Sequence, residues 1–279
     1  MSVDAVRLSV AAVSDRGLVR TANEDAVLAE SPVFLVADGM GGHDAGDVAS
    51  AAVVDAFRPV VGTPASIDAV RGALQMAGET VERISDGTRR GAGSTVSGVA
   101  LVEHEGLPHW LVFNVGDSRV YRFHGAELEQ ITVDHSLGQE MVDAGRLRRE
   151  DLATFAQRNV ITRAVGSPGS AADSWLVPVV DGERLLICSD GLTGEVNDES
   201  IRATLTMSGR PEAAVSALLH RAKLGGGRDN ISVVVVDVIS GGVRARAEDA
   251  TGGRLADATL GGSTIDATTL PSRARGARV

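Results

Sequence analysis

The sequence contains only one cysteine, Cys188, in 279 residues. This excludes an internal disulfide and any zinc site built from several cysteines. Because Cys188 lies in the apolar run RLLICSDG, we interpret it as a buried structural thiol rather than a nucleophile. The six histidines are scattered, and none is paired at a metal-ligand spacing. The ligands that commonly hold zinc or copper are therefore missing.

Long apolar runs and excess positive charge are also missing. No apolar run approaches the roughly 18 residues of a membrane span, and the first residues lack the basic-then-apolar pattern of a signal peptide. We therefore expect a cytoplasmic protein without a membrane span. The formal net charge is -10, which disfavours nonspecific binding to nucleic acid or anionic lipid. An anionic substrate would then need a local positive centre, such as a metal ion.

Several common catalytic signatures are absent. No Gly-Lys-Ser/Thr follows the glycines of VADGMGG, and Asp44 stands where a dinucleotide-binding turn requires its third glycine. There is no Gly-x-Ser-x-Gly elbow, and Ser94 has no identifiable base partner. Met40 occupies the position, two residues after Asp38, at which an aspartyl-phosphate enzyme would normally carry a second Asp. Nucleophilic and nucleotide-binding chemistry are therefore unsupported.

The chain does contain many short, β-branched runs that end in turn residues, which predict strands. Helical spacing appears in GDVASAAVVDAFRPVV, in SIDAVRGALQMAGETVERIS and in PEAAVSALLHRAKLGG. The helices come as a pair after VADGMGG and singly near the end, so antiparallel sheets are favoured over a regular parallel sheet. Residues 137–159 are polar and predict a flap, with a short exposed helix in GRLRREDL.

The composition changes after Val238. From Ser240 to Val279 large apolar side chains are almost absent, and Gly, Ala, Thr, Arg and Asp dominate. Such a segment cannot bury enough surface to offset its ordering entropy. We therefore predict one folded domain over residues 1–239 and a disordered tail over residues 240–279.

Acidic residues recur at the ends of the predicted strands. They are Asp38, Asp117, Asp190 and Asp229, with Glu24 and Asp25 shortly before the strand VFLVA. Taken singly, each is explained at least as well by a turn or a helix cap, such as Asp38 capping a helix that begins near Asp44. If the strand ends converge, however, repulsion between the carboxylates would be strongly unfavourable without cations. The group as a whole therefore predicts a metal site.

Carboxylates, a carbonyl at Gly39 and water are hard oxygen ligands, which suit Mg²⁺ or Mn²⁺. Two such ions lie about 3.5–4 Å apart when a carboxylate bridges them, and their shared water becomes hydroxide near neutral pH. Asp38 stands directly before glycines. It is the candidate bridge.

Five separated motifs are recognisable together: RTANED, VADGMGG, NVGDSRVY, CSDGL and RDNIS. In order and approximate spacing, the sequence from about Ser9 to Asp237 resembles the PPM-type (type 2C) Ser/Thr protein phosphatases, especially bacterial members. The resemblance implies an α+β fold, a four-layer αββα sandwich of two mainly antiparallel sheets flanked by helices. It also implies hydrolysis of phosphoserine and phosphothreonine in proteins by in-line attack of a hydroxide that bridges two Mn²⁺ or Mg²⁺ ions.

The resemblance implies a role for each residue of the main site. Asp38 would bridge the two ions, Asp190 and Asp229 would hold one of them, and the carbonyl of Gly39 would help to hold the other. The acidic pair that supports this second ion, directly or through water, is Glu24 and Asp25.

A third, weaker ion is implied as well, held by Asp117 with Asp190 and approached by Asn159. Some eukaryotic members carry a His, proposed as general acid, where this chain has Met40, and His43 is too displaced to replace it. The leaving oxygen would then take its proton from metal-bound water.

Arg20 lies four residues before Glu24 and matches the family arginine that clamps the substrate phosphate. The alternative is a surface ion pair with nearby acids. Asn23 and Asn230 are expected to orient neighbouring ligands. For His135 a packing role and a flap-anchoring role remain open.

Two functional classes follow from these observations. The first is a monomeric phosphoprotein phosphatase that acts on phosphorylated proteins, with a Ser/Thr protein kinase as a partner that the resemblance alone implies. The second is a noncatalytic phosphoprotein-binding module on the same fold. Loss of a bridging ligand would favour the second, whereas every principal ligand is present.

Overall fold

The structure is a computed structural model that describes residues 3–41, 45–62, 64–89 and 91–243. His43 and almost all of the predicted tail, from residue 244 onward, lie outside these ranges. The strands are β1 (Arg7–Asp15), β2 (Asp25–Glu30), β3 (Val33–Gly41), β4 (Ala92–Ser94), β5 (Val96–His104), β6 (Leu107–Val115), β7 (Arg119–His124), β8 (Glu127–Gln130), β9 (Asp173–Pro178), β10 (Arg184–Cys188) and β11 (Ile231–Ser240). The α-helices are α1 (Ala45–Phe57), α2 (Ile67–Asp86), α3 (Leu137–Asp143), α4 (Asp190–Thr193), α5 (Asp198–Met207) and α6 (Pro211–Gly225).

The strands form two antiparallel sheets. One has the order β1-β11-β10-β7-β8, and the other has the order β2-β3-β5-β6-β9 with β4 paired to β3. The pairs β2-β3, β5-β6 and β7-β8 are hairpins, a connection that is open only to antiparallel strands. None of the helices in the described ranges is both long enough and apolar enough to cross a membrane.

The side chains of β3 show how the layers are held together. Val33, Leu35 and Ala37 pack into a cluster with α1 and α2, whereas Phe34 and Val36 pack into the cluster between the two sheets. Successive strand residues point to opposite faces, so a strand buried on both faces reads as a continuous apolar run.

Strand β11 repeats this arrangement in the other sheet. Val233 and Val235 pack against α5 and α6, and Val234 and Val236 face the opposite sheet. The order of layers is helices, sheet, sheet, helices. The predicted four-layer αββα sandwich is therefore confirmed.

One helical prediction is confirmed in part and another is wrong. The short helix predicted in GRLRREDL is the 3₁₀ helix Arg149–Thr154, which follows the α-helix Leu137–Asp143 and a turn at Gly145, whose φ is 66°. The wrong prediction is that of a single helix near the end, since α6 is preceded by α5. α5 is rich in Thr, Ser and Asp, which are poor helix formers, but Asn197 caps it by accepting a hydrogen bond from the N–H of Ser200.

Gly98 in β5 tests the close packing of the sandwich. A Cβ at this position would lie 2.6 Å from Leu35 Cβ and 2.7 Å from the carbonyl oxygen of Phe34. Gly98→Ala should therefore lower the free energy of unfolding by about 1–3 kcal/mol, as measured by urea denaturation. The matched control is Gly72→Ala in α2, where a Cβ meets nothing within 4 Å; it should stabilise the protein by about 0.5–1 kcal/mol. Equal effects of the two substitutions would contradict this packing.

Candidate metal centre

The predicted acidic residues come together at one end of the sandwich because of the strand register. Asp25, the first residue of β2, lies opposite Asp38 in β3. In the other sheet, Asp190 follows β10 and Asp229 precedes β11, and these antiparallel neighbours pair Cys188 with Val233. Asp117 lies between β6 and β7 at the same end.

Strand β3 does not end at Asp38, in contrast to the sequence interpretation. It pairs with β5 up to Val36 and then with β4 from Gly39 to Gly41. Asp38 lies at this change of partner, where its N–H donates to Thr95 Oγ1. Its carboxyl group hydrogen-bonds that of Asp190. Within the described ranges no hydrogen bond joins its carboxyl group to the N–H groups at the start of α1, so the structure gives no support to the helix-cap alternative.

A cleft of about 220 Å³ opens at this end of the sandwich. It is lined by Arg20, Glu24, Asp38, Gly39, Met40, Gly41, Ile161, Asp190, Asp229 and Asn230. Asp25 and Asp117 are not part of this lining, but their charges act on those of Asp38 and Asp190. Asn159 is exposed, two residues before Ile161, and does not line the cleft.

The carboxyl groups hold their protons unusually tightly. Burial, opposed in part by the Ser232 and Ser189 hydroxyls and reinforced by the charges of Asp190 and Asp229, raises the pKa of Asp25 to about 7. Burial and the neighbouring Asp190 raise the pKa of Asp117 to about 8. Burial, with four surrounding aspartates, raises the pKa of Asp38 well above its ordinary value. Such shifts mean that negative charge is crowded into a poorly solvated place.

Arg20 is the cation at the mouth of the cleft. Its Nη2 donates to Asp229 Oδ2 over 2.7 Å. This hydrogen bond is the main cause of the raised pKa of Arg20, and the charges of Asp229, Glu24 and Asp38 add to it. The ion pair that was the alternative for Arg20 is thus present. It lies in the cleft, where a substrate phosphate would bind.

Asn230 ties the segment that carries Arg20 and Glu24 to β11. Its Nδ2 donates to the carbonyl oxygens of Arg16 and Ala22, and its Oδ1 accepts from the N–H of Glu24. The carbonyl oxygen of Glu24 in turn accepts from Gly39 N–H and from Ser50 Oγ. The expectation that Asn230 orients its neighbours is consistent with these contacts.

The comparisons with known proteins agree with this geometry. No family profile matches the sequence. The chain is 32% identical over 239 residues to the Ser/Thr phosphatase stp of Listeria monocytogenes, a match that covers 80% of this chain and 93% of that protein. The chain belongs to the PPM-type family of Ser/Thr protein phosphatases.

A second relative is longer than this chain. The Ser/Thr protein phosphatase PstP of Mycobacterium tuberculosis is 40% identical over 242 residues, which cover 83% of this chain and 45% of PstP. The chain thus spans about half the length of PstP.

Solved structures of PPM phosphatases have the same fold. The crystal structure of M. tuberculosis PstP superposes with a TM-score of 0.79 at 34% identity, covering 84% of this chain and 100% of that one. A second structure, the PstP catalytic domain in complex with two manganese ions, gives a TM-score of 0.74 at 33% identity and covers 84% and 99% of the two chains.

The donor set of this PPM chain fits a hard cation. Two carboxylate oxygens, Asp25 Oδ1 and Asp117 Oδ1, are buried without a hydrogen-bond partner among the described residues. Gly39 lines the cleft and packs against the backbone of α1, because a Cβ there would lie 2.0 Å from the carbonyl oxygen of Gly46. An unpartnered buried carboxylate oxygen is costly, and a divalent cation is the partner that this chemistry suits best.

The carboxylates are close together, but in the described part of the chain they are not arranged around a common metal position. No three His, Cys, Asp or Glu side chains in the described part of the chain surround one point. The carboxyl groups of Asp38 and Asp190 are joined by a hydrogen bond, and the carboxylate of Asp229 accepts a hydrogen bond from Arg20. Binding of a cation would therefore have to displace protons and turn these side chains.

Sequence reasoning missed the hydroxyl groups that support the acids. Ser189 Oγ donates to Asp25 Oδ2 over 2.9 Å, and Thr95 Oγ1 shares a hydrogen bond with Ser118 Oγ beneath Asp38. Ser189 and Ser118 are direct neighbours of Asp190 and Asp117 in the sequence. The sequence signal that could have indicated these hydroxyl groups is a serine next to an Asp at the end of a strand.

His135 connects the turn between β6 and β7 to the residues that follow the predicted flap. Its Nδ1 accepts from the N–H of Gly116, so Nε2 carries the proton and faces Asp173 Oδ2 at 3.2 Å. Its backbone carbonyl oxygen accepts from the N–H of Thr162. These contacts favour the flap-anchoring role.

Stability in the absence of divalent cations should depend on pH. The folded protein keeps the protons of Asp25 and Asp117 up to about pH 7 and 8, whereas an unfolded Asp releases its proton near 3.8. Between these limits the folded state binds more protons, so the free energy of unfolding falls as the pH rises. In EDTA, Tm should be lower at pH 8 than at pH 5 by about 2–4 °C for each 1 kcal/mol lost.

Two comparisons check this expectation. Asp117→Asn removes one of the two groups and should flatten the dependence of Tm on pH. Adding Mn²⁺ at pH 8 should raise Tm, because a ligand that binds only the folded state stabilises it. A Tm in EDTA that is higher at pH 8 than at pH 5 would contradict the assignment.

Proposed function

We propose that this PPM chain is a metal-dependent phosphoprotein phosphatase that hydrolyses phosphoserine and phosphothreonine in proteins. The observation that carries the proposal is the convergence of the aspartates on a cleft that also contains an arginine. An anionic phosphate would be repelled by such a cleft unless cations were bound there. With cations the same cleft becomes a site for a phosphate group.

The ligands of these cations are proposed from the residues that face the cleft or lie directly behind it. Asp38 would bridge two ions, Mn²⁺ or Mg²⁺, and Asp190 and Asp229 would hold one of them. The groups proposed for the second ion are the Gly39 carbonyl, Glu24 and Asp25. When bound, such a pair neutralises phosphoryl charge and lowers the pKa of water to near neutrality.

A third ion is proposed beside the pair. Asp117 and Asp190 would hold it, since the charge of Asp190 is the largest electrostatic influence on Asp117. Asp117 Oδ1 has no hydrogen-bond partner among the described residues. Asn159 stays a prediction here, because it is exposed and outside the cleft lining.

Arg20 would bind the phosphate of the substrate. It is half exposed at the mouth of the cleft, with a side-chain exposure of 50%, and its planar fork suits two phosphate oxygens. To do so it must exchange the Asp229 carboxylate for the phosphate.

The substrates follow from this chemistry. We propose phosphoproteins made by a Ser/Thr protein kinase, which this chain would oppose. The test is hydrolysis of a phosphothreonine peptide with Mn²⁺, with Mg²⁺ and after chelation by EDTA. Activity that survives complete chelation would exclude the metal-dependent mechanism, and tight binding of the peptide without hydrolysis would favour a noncatalytic binding module.

Asp38→Asn should separate function from stability. Hydrolysis should fall by at least ~10²-fold, more than the 10–100-fold typical for loss of a group that merely supports a metal ligand. In EDTA the variant should be at least as stable as the wild type, because one carboxyl group is removed from a crowded site. Turnover near that of the wild type in Mn²⁺ would remove Asp38 from the centre.

Arg20→Ala should raise KM for phosphopeptides about 10- to 100-fold, the range expected from a hydrogen bond to a charged group. The matched control is Arg16→Ala, an arginine of the same loop whose guanidinium, among the described residues, donates to the carbonyl oxygen of Thr21 at 3.4 Å. It should leave KM within about twofold. Similar KM values for the two variants would show that Arg20 does not bind the phosphate.

A further inference from the structure

Two large apolar side chains stand exposed beside the cleft. Leu18 is 62% exposed and Val19 is 64% exposed, and the next residue, Arg20, lines the cleft. Single exposed apolar residues are common on soluble proteins. Two in succession, immediately before a residue of the proposed phosphate site, are not explained by packing.

The loop that carries them is held in place by its backbone. The N–H of Leu18 donates to the carbonyl oxygen of Gly227 over 2.7 Å, and Asn230 binds the carbonyl oxygens on both sides, at Arg16 and Ala22. Gly227 lies directly beneath Leu18, since a Cβ there would be 3.0 Å from Leu18 Cγ. The loop therefore keeps its shape without burying Leu18 and Val19, and these side chains are presented outward.

A third exposed apolar side chain lies beside another part of the same cleft. Val160 is 48% exposed and directly precedes Ile161, which lines the cleft. Its carbonyl oxygen accepts from the N–H of Leu137 over 2.8 Å. Leu18, Val19 and Val160 are thus each within two residues of a cleft-lining residue, and we call them the apolar rim.

We propose that the apolar rim binds apolar side chains that flank the phosphorylated residue of the protein substrate. This inference rests on the proposed phosphatase function and adds a substrate preference to it. Successive Cα atoms are about 3.8 Å apart, and an extended peptide advances about 3.3–3.6 Å per residue. Leu18 and Val19 are at most two Cα steps, about 7.6 Å, from Arg20. With the phosphate at Arg20, side chains one to three residues from the phosphorylated one are within reach of them.

A substrate polypeptide is the occupant that these positions favour. The rim residues adjoin Arg20 and Ile161 of the cleft lining, so the rim is continuous with the proposed substrate site. A membrane surface is disfavoured because the adjoining cleft is lined with carboxylates and the chain has a net charge of -10. A second copy of the chain is the other possible occupant, which the experiment separates.

The test compares the double variant Leu18→Ser, Val19→Thr with the wild type. Two phosphothreonine peptides are used that differ only in having Leu or Ser at the flanking positions, and p-nitrophenyl phosphate reports on the cleft alone. The matched control is Leu107→Ser, which changes a leucine of 42% exposure at the start of β6. The length of that strand places it roughly 26 Å from Val115 and the cleft end.

The wild type and Leu107→Ser should prefer the Leu-flanked peptide by about tenfold in kcat/KM. The double variant should lose this preference through KM, relative to its rate on p-nitrophenyl phosphate. The inference is overturned if the wild type shows no preference, if the losses on both peptides and the aryl phosphate are equal, or if the wild type is a dimer by light scattering and the double variant a monomer. If the wild type hydrolyses none of the three substrates with Mn²⁺, the proposed function itself fails.

Discussion

The apolar sandwich holds several carboxyl groups together at one end against their mutual repulsion. Asp25, Asp38, Asp117 and Asp190 all have raised pKa values, because burial and neighbouring charges both oppose ionisation. Such a group does not persist unless the backbone that carries it is fixed by interactions elsewhere. The sandwich supplies those interactions along the length of the strands, away from the site.

The apolar core, and not the acidic site, fixes the positions of the strands. β3 and β11 are buried on both faces, so a shift of either strand by one residue would exchange its helix-facing and sheet-facing side chains. The register of β2 with β3, which sets Asp25 against Asp38, is therefore fixed by apolar packing rather than by the acids. The acids themselves are supported by hydroxyl groups and amides, notably Ser189, Thr95 and Asn230.

Much of this could be predicted from the sequence, for reasons that are physical. Strands such as β3 and β11 are doubly buried and so appear as unbroken apolar runs, and the strand-end acids are visible because charge is rare next to such runs. The continuation of β3 to Gly41 could not be predicted, since glycines have no side-chain pattern and the partner β4 is only three residues long. α5 was missed because its local propensity is poor and its stability comes from tertiary packing of Ile201 and Leu205.

The parts of the site that escaped prediction are those made by contacts distant in the sequence. The pairing of Arg20 with Asp229 joins residues 209 positions apart, and nothing local to either motif indicates it. This pair also connects the cation and the phosphate of the proposed mechanism. Asp229 is neutralised by Arg20 in this structure, and a cation at Asp229 would free the guanidinium for a phosphate group. Cation binding at Asp229 and phosphate binding at Arg20 would both break this one ion pair. Any coupling between the two binding events must therefore be the same in both directions.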